Sequence, residues 1–277
     1  MTQKSRWENA DAYDAWYLQE PGRSAALLEK HILQQVWSPR ARQRVLEVGC
    51  GTGYFLQWFA EQGHMVTGLD ASMPMLTVAQ RRLPSSVQLD HGYAEDLPYE
   101  DNSFDTAALV TSLEFVDDPL KALQEACRVA RVHVLLGVLN KYSLIALQRY
   151  WEQLWKDTTY KHARFFSVFE LKRMAGTALS GPVPIRYKTC LSVPLKLLPY
   201  LQFMEKSSLW TWHPFGHFIA MRIDLRYPVQ TAQNPVFSKI PSTAQEVPCS
   251  PSCRQTADPR YPASSRRKAS RGRKVRG

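Results

Sequence analysis

The residues best placed to do chemistry are three glycines at alternate positions, Gly49, Gly51 and Gly53. A short apolar segment containing Glu47 precedes them and an amphipathic segment follows, which predicts a strand, a tight turn and the start of a helix. A side chain at any of the three positions would hold a ligand away from the backbone, so the spacing predicts a ligand-binding loop. Asp70 ends the next apolar run, 21 positions after Gly49. A carboxylate ~20 positions beyond such a loop is typical of one that binds a ribose diol, so we expect a nucleoside-shaped ligand.

Tyr54 separates this loop from the dinucleotide-binding fingerprint. That fingerprint carries its third glycine or alanine one residue after Gly53, where this chain has Tyr54. For the glycines alone, a purely structural turn is the alternative. Glu47 in the predicted first strand and Asp70 after the second favour ligand binding, and spacing alone indicates only a nucleoside site.

The loop, taken with Glu47 and Asp70, resembles motif I of the class I S-adenosylmethionine-dependent methyltransferases, in the type 11 branch that includes quinone-biosynthesis enzymes. The resemblance continues in order through residues 71–76, 92–99, 102–105 and 113–119. It implies S-adenosyl-L-methionine as cofactor and methyl transfer as the reaction. The cofactor contacts that it implies are Glu47, Gly49, Cys50, Gly51, Gly53, Asp70, Ala71, Met75, Tyr93, Ala94, Glu95, Asp96 and Thr111, with Tyr17 from an N-terminal helix.

Two positions depart from the family pattern. The family usually has an acid that accepts a hydrogen bond from the adenine amine where this chain has Tyr93, so Tyr93 stacks or donates, or Asp96 substitutes. The family also has a Pro-Gly-Gly turn before its fifth strand, whereas residues 128–133 here run directly into the apolar run 134–139. The second departure predicts a shortened turn that does not touch the cofactor loop.

These residues need a parallel sheet to bring them together. Apolar runs predict strands near 44–48, 65–69, 87–90, 104–110 and 132–139, and amphipathic segments predict helices near 54–62, 73–82 and 118–129. The alternation predicts an α/β fold with helices on both faces of the sheet. Apolar segments at 185–193 and 217–225 complete a doubly wound, Rossmann-like, seven-stranded sheet, mostly parallel with an antiparallel last strand and a helical insert between strands five and six. Ligands bind such sheets beyond the carboxyl ends of the strands, where 49–53, 70, 93–96 and 111–115 would meet.

Two further regions flank the predicted cofactor loop within a methyltransferase domain over 1–227. Residues 1–43 contain N-terminal helices broken at Pro21-Gly22, and the resemblance implies that they cover the cofactor, with Trp16 or Tyr17 facing the sulfonium. Residues 140–182 form the insert, with apolar and aromatic residues at helical spacing and a further helix near 168–176. The resemblance places the acceptor pocket there, and for both regions simple structural packing of the aromatics is the alternative.

Methyl transfer from a sulfonium needs alignment and exclusion of water more than it needs a catalytic group. A general base helps when the acceptor is a hydroxyl or an amine. The candidates are Glu114, just after the fourth strand, and His162 in the insert. Each has a structural alternative, a loop-capping carboxylate for Glu114 and a packed histidine for His162.

The positive charge lies mostly at the C-terminus. Of the formal net charge of +10, residues 228–277 carry +8, from ten Lys or Arg and two acidic residues. This segment holds seven of the 18 prolines and no hydrophobic period, which predicts a disordered basic tail. Such a tail either binds polyanions such as RNA or is simply solvated. The five cysteines show no zinc-type pairing, so no metal is expected. The absence of an apolar leader predicts a cytoplasmic protein.

Three functions therefore stay open. The leading expectation is methyl transfer to a small-molecule acceptor, apolar or aromatic, because four of the eight tryptophans lie in 140–182 and 194–216. A second is methylation of RNA or another macromolecule recruited by the tail, although the motifs that grip an extruded base are missing. The third is a cofactor-binding protein without catalysis, which the departure at Tyr93 suggests. The acceptor, its attacking atom and the oligomeric state are not predicted.

Overall fold

Thirteen helices and strands alternate in the part of the chain that the computed structural model describes, residues 10–39, 41–143, 163–192 and 213–225. The strands are β1 Arg44–Val48, β2 Met65–Asp70, β3 Gln88–His91, β4 Phe104–Val110, β5 Ala130–Leu139, β6 Ile185–Cys190 and β7 Phe218–Asp224. The helices are α1 Ala10–Leu18, α2 Gly22–Val36, α3 Tyr54–Glu61, α4 Met73–Arg82, α5 Pro119–Val129 and α6 Val168–Ala178. The predicted tail, 228–277, lies outside the described residues, as do residues 144–162 of the predicted insert.

The seven strands form one sheet in the order β3-β2-β1-β4-β5-β7-β6. Strands β1 to β5 pair in parallel, and β7 pairs antiparallel with both β5 and β6. The predicted fold class is confirmed, including the antiparallel last strand and a helix, α6, between β5 and β6. Central strands β4 and β5 are almost wholly buried apolar residues, as expected of strands covered on both faces.

Alternate residues of the central strands pack into two separate hydrophobic cores, one on each face of the sheet. Leu46 and Val48 of β1 pack in the core that α5 and α6 share, while Val45 packs in the core of α2 and α3. Trp37, which ends α2, is completely buried and donates its indole N–H to Thr106 Oγ1 of β4 at 3.2 Å. Each such large buried apolar side chain contributes ~1.5–3 kcal/mol relative to exposure. The two cores hold the sheet rigid beneath the loops at its carboxyl edge.

The helices that frame that edge begin at side-chain caps. Ser72 caps α4 by accepting from Met75 N at 3.4 Å, and Asp118 caps α5 by accepting from the amides of Leu120 and Lys121 at 3.1 and 3.0 Å. Helix α5 ends at Val129 and β5 starts at Ala130, so the shortened turn is confirmed. Within the described residues, no helix has the length and apolar character to cross a membrane.

Candidate functional site

A cavity of about 550 Å³ lies at the carboxyl ends of the first four strands. The strand order changes direction between β1 and β4, so this is the switch point at which parallel α/β sheets bind ligands. The predicted site residues on its wall are Gly49, Gly51, Asp70, Ala71, Met75, Tyr93, Ala94, Glu95 and Thr111. The wall is completed by Tyr13, Leu69, Ser72, Met73, Pro74, His91, Gly92, Ser112, Phe115 and Val116.

The glycine loop is held against the neighbouring strand by backbone hydrogen bonds. Leu69 O accepts from Gly49 N at 2.7 Å and from Cys50 N at 3.0 Å. Gly49 and Gly51 have φ of +73° and +53°, which favours glycine. A Cβ on Gly49 would lie 2.5 Å from Ser112 Cβ, whereas one on Gly51 would meet nothing within 4 Å. Gly49 is therefore required by packing, and Gly51 leaves open space for a ligand.

Asp70 joins this loop to the start of α4. Its Oδ2 accepts from Gly51 N at 2.7 Å and its Oδ1 accepts from Ser72 N at 2.8 Å. Burial raises the pKa of Asp70, and the hydrogen bonds from Ser72 and Gly51 oppose that rise. Each carboxylate oxygen keeps a further lone pair, so Asp70 has acceptor capacity for a ligand hydroxyl.

Five other predicted contacts lie off the cavity wall, namely Tyr17 of α1 and Glu47, Cys50, Gly53 and Asp96. Glu47 is 1% exposed, and its Oε2 has no hydrogen-bond partner among the described residues. Burial and the Asp70 carboxylate raise the pKa of Glu47 well above its usual value, and Lys30 opposes them. The Cys50 thiol is buried among apolar residues, which raises its pKa, so a reduced structural thiol fits. Gly53 and Asp96 likewise do not line the cavity; Asp96 is exposed and donates its backbone N–H to Tyr93 O at 3.2 Å.

The segment after β3 forms the outer rim of the cavity. The Tyr93 side chain is 55% exposed, and its ring meets His91 edge-on at 6.3 Å between centroids. Glu95 lies on the wall, but its Oε1 already accepts from the amides of Asp117 and Asp118 at 2.9 and 3.2 Å. Glu95 thereby ties this rim to the loop after β4.

The loop after β4 contributes two residues with unusual features. Thr111 has φ of +49°, rare for a β-branched residue, and its N–H donates to Gly137 O at 2.7 Å. Ser112 is 8% exposed and lies on the wall, yet its Oγ has no hydrogen-bond partner among the described residues. The sequence placed 111–115 at this edge but did not single out Ser112 as a contact, since the signal is a backbone reversal that the residue types around it do not reveal. Backbone strain beside a buried hydroxyl without a partner is typical of a ligand site.

The aromatic residue of α1 that lines the cavity is one helical turn away from the predicted one, Tyr17. Tyr17 is 7% exposed and packs in the core of α2 and α3, off the cavity wall. Tyr13, four residues earlier on the same helix face, lines the cavity instead. The two hydroxyls are 2.9 Å apart. Tyr17 therefore supports Tyr13 rather than reaching the cavity itself.

Glu114 does not lie where a base in the cavity would. It is 1% exposed, is not on the wall, and its Oε1 accepts from Leu139 N at 2.6 Å. Its backbone carbonyl accepts from Arg164 N at 2.8 Å, and burial raises its pKa to about 8. These contacts correspond to the structural alternative for Glu114, a carboxylate that caps the loop. His162 lies outside the described residues, and the described part of the chain has no group of acidic, histidine or cysteine side chains that would hold a metal.

Comparison with known proteins gives a consistent result. A family model described as a methyltransferase domain matches residues 46–136. An uncharacterised protein of Methanocaldococcus jannaschii is 29% identical over 167 residues, 60% of this chain and 75% of that protein. The demethylmenaquinone methyltransferase of Renibacterium salmoninarum is 43% identical over 89 residues, so the match spans 32% of this chain and only 37% of that relative.

A solved structure from Thermotoga maritima extends the match to the fold. It is described as an S-adenosylmethionine-dependent methyltransferase, possible histamine N-methyltransferase. It is 28% identical with a TM-score of 0.64, and the alignment covers 81% of this chain and 100% of that one.

Proposed function

Because the chain belongs to the class I S-adenosylmethionine-dependent methyltransferases of the type 11 family, we propose that it methylates a small-molecule acceptor held beside its cofactor loop. The observation that carries the proposal is the cavity of about 550 Å³, which is lined both by the glycine loop and by the apolar residues Phe115 and Val116. Small-ligand sites occupy roughly 300–1,000 Å³, so a cavity of this size is suited to a nucleoside cofactor and part of a small partner.

The names of two relatives support the same class of acceptor. Demethylmenaquinone is apolar, and histamine is a small amine. Both are small molecules that a partly apolar pocket can hold. The second name is given only as a possible one, so together the names favour a small acceptor without fixing the attacking atom.

The wall residues supply the cofactor contacts in this proposal. Asp70 takes the ribose hydroxyls, the open backbone of Gly51 lies against the nucleoside, and Tyr93 and Ala94 border the adenine. S-adenosylmethionine, when bound, supplies a methyl group activated by a positively charged sulfur. The Tyr13 ring on the wall then faces a cation, a contact worth about 1 kcal/mol or more when dry.

In this proposal the protein catalyses by alignment rather than through Glu114. That carboxyl is buried and holds Leu139 N, so its role is to position the loop that carries Phe115. The wall formed by Tyr13, Phe115 and Val116 excludes water from the reacting groups. The domain bounds of 1–227, the acceptor role of 140–182, the basic tail and a cytoplasmic location stay predictions.

Two measurements on the full chain test the proposal. Calorimetry with S-adenosylmethionine and with NAD identifies the cofactor, and NAD binding without S-adenosylmethionine binding would contradict it. Methyl-labelled S-adenosylmethionine is then offered with pools of small amines, phenols and quinols, and in parallel with total RNA. We expect label in the small-molecule pools. Label in RNA alone would favour the tail-recruited alternative, and tight binding without transfer would favour a non-catalytic cofactor-binding protein.

A further inference from the structure

Tyr54 occupies an unusual place directly after the glycine loop. It is the first residue of α3, where the dinucleotide fingerprint has a small residue. Its ring stacks on Tyr17 of α1 with centroids 4.1 Å apart and an interplanar angle of 13°. The cofactor loop and α1 are thus joined through two aromatic side chains.

Cations cover and flank the same ring. Lys30 Nζ of α2 lies 3.7 Å from the Tyr54 centroid, and because Tyr17 fills one face, the ammonium lies on the other. Arg82 Cζ of α4 lies 5.4 Å from that centroid. Lys30 is half-buried, which lowers the pKa of its ammonium, and attraction between a cation and a ring is stronger away from water.

Arg82 also holds α1 directly. Its Nη2 lies 2.6 Å from Asp14 Oδ2, and the two side chains are only 14% and 17% exposed. The other pair between these helices, Arg81–Asp11, is 63% and 80% exposed and contributes little. Tyr54 therefore lies at a junction of four helices, with Tyr17, Lys30 and Arg82 around it.

This junction connects to the cavity through hydroxyl groups. Tyr17 Oη lies 2.9 Å from Tyr13 Oη, and Tyr13 lines the cavity. Displacing Tyr17 would therefore move Tyr13 away from the wall. An aromatic stack of this geometry and a desolvated cation–π contact are each strong enough to bias the position of a short helix.

We propose that Tyr54 is a positioning residue that holds α1 closed over the cofactor cavity, so that Tyr13 stays on its wall and cofactor release is slowed. The proposal rests on the proposed function in one respect, because the ligand whose release is slowed is S-adenosylmethionine or its demethylated product. The closure of α1 itself does not depend on which ligand binds.

The test compares Tyr54→Leu, which removes the ring, with Tyr54→Phe, which keeps the stack and the face under Lys30. Dissociation of S-adenosylhomocysteine is followed by stopped flow, and amide hydrogen exchange is followed over Ala10–Leu18 with and without that ligand. We expect Tyr54→Leu to release the ligand about tenfold faster and to exchange faster in α1 even without ligand. Tyr54→Phe should stay within about twofold of the wild type in both.

Phe59→Leu is the matched control, because Phe59 lies on the same helix, is completely buried and faces Trp37 rather than α1. It should lower the melting temperature while leaving ligand release unchanged. Equal acceleration by Phe59→Leu, or unchanged α1 exchange in Tyr54→Leu, would overturn the positioning role. A wild type that does not bind S-adenosylhomocysteine would contradict the proposed function, while the exchange of free α1 would still decide the role of Tyr54.

Discussion

Two walls of the cavity are held by different kinds of interaction. The glycine wall, residues 49–53 and Asp70, is fixed by backbone amides that donate to Leu69 O and to the Asp70 carboxylate. The side-chain wall, Tyr13 with residues 111–116, has backbone hydrogen bonds at Thr111 and Glu114 but also depends on the buried Glu114 carboxyl and on the Tyr54 junction. Backbone contacts set by φ angles leave little freedom, whereas side-chain contacts can break without unfolding the strands. We therefore expect the first wall to be preformed and the second to open and close.

Gly49→Ala should have the largest effect, because it strains the glycine wall and makes the new methyl group clash with Ser112 of the side-chain wall. The new Cβ would lie 2.5 Å from Ser112 Cβ at a φ of +73°. Left-handed strain and overpacking together should cost about 3 kcal/mol of the free energy of unfolding. Binding of S-adenosylhomocysteine should fall below detection by calorimetry.

The control for Gly49→Ala is Gly63→Ala, which shares the positive φ, +87°, but has nothing within 4 Å of its Cβ. It should cost only about 1 kcal/mol in urea unfolding and leave binding unchanged. Equal losses for the two variants would show that backbone strain, not the approach to Ser112, makes glycine necessary at position 49.

Asp70→Ala should weaken cofactor binding by about 1–3 kcal/mol, because it removes the acceptor for ribose hydroxyls and the acceptor that holds Gly51 N. The measurement is calorimetry with S-adenosylmethionine. Asp90→Ala is a suitable comparison, since Asp90 accepts from Tyr99 Oη at 2.7 Å but does not line the cavity. Wild-type affinity in Asp70→Ala would refute the ribose-binding role.

Glu114→Gln should change how the stability of the protein depends on pH. The substitution tests only the side-chain wall, because Glu114 lies in the loop that forms it. The pKa of Glu114 is about 8 in the folded protein against a usual 4.5, so between these values the folded state keeps a proton that the unfolded state has lost. The wild type therefore loses stability from this residue as pH rises from about 4.5 to about 8. Glutamine keeps an acceptor for Leu139 N without ionising, so relative to the wild type the variant should gain up to about 4 kcal/mol of stability at pH 8.

Urea unfolding of both proteins at pH 5 and pH 8 measures this difference. Glu125→Gln should behave in the opposite sense, because hydrogen bonds from Arg128 lower the pKa of Glu125. It should lose stability relative to the wild type by a similar amount at pH 5 and pH 8, because the stabilisation from Glu125 is lost only as pH falls below its usual pKa of 4.5. Parallel pH profiles for Glu114→Gln and the wild type would show that Glu114 is not held protonated in the folded state.

The difference between the walls also explains what the sequence could predict. The bounds predicted for β1, β4 and α4 match the structure, since apolar runs and glycine spacing are local signals. Tyr13 and Tyr17 lie on one face of α1, and only the crossing of α1 over the sheet decides which one reaches the cavity. From the sequence, Glu114 is a candidate base with a loop-capping alternative, and its carboxyl lies off the cavity wall because it accepts from Leu139 N of β5. Such choices depend on contacts between distant segments, which periodicity does not encode.

Ser112→Ala should have the smallest effect and shows where the two walls meet. Ser112 follows β4 while Asp70 ends β2, and β1 lies between these strands. With strands about 4.8 Å apart, we expect the Ser112 hydroxyl roughly 10 Å from the ribose position along the sheet edge. That distance corresponds to the amino-acid end of the cofactor. Loss of one hydrogen bond should weaken binding of S-adenosylhomocysteine by ~1 kcal/mol.

The ligand 5′-methylthioadenosine, which lacks the amino-acid end, makes this prediction specific. Its affinity should be the same for Ser112→Ala and the wild type, whereas Asp70→Ala should weaken both ligands, because both keep the ribose. Equal weakening of the two ligands by Ser112→Ala would place the hydroxyl near the nucleoside instead. In that event the side-chain wall would also bind the nucleoside. Both walls would then contact the same part of the ligand near Gly49, where Ser112 packs against the glycine loop.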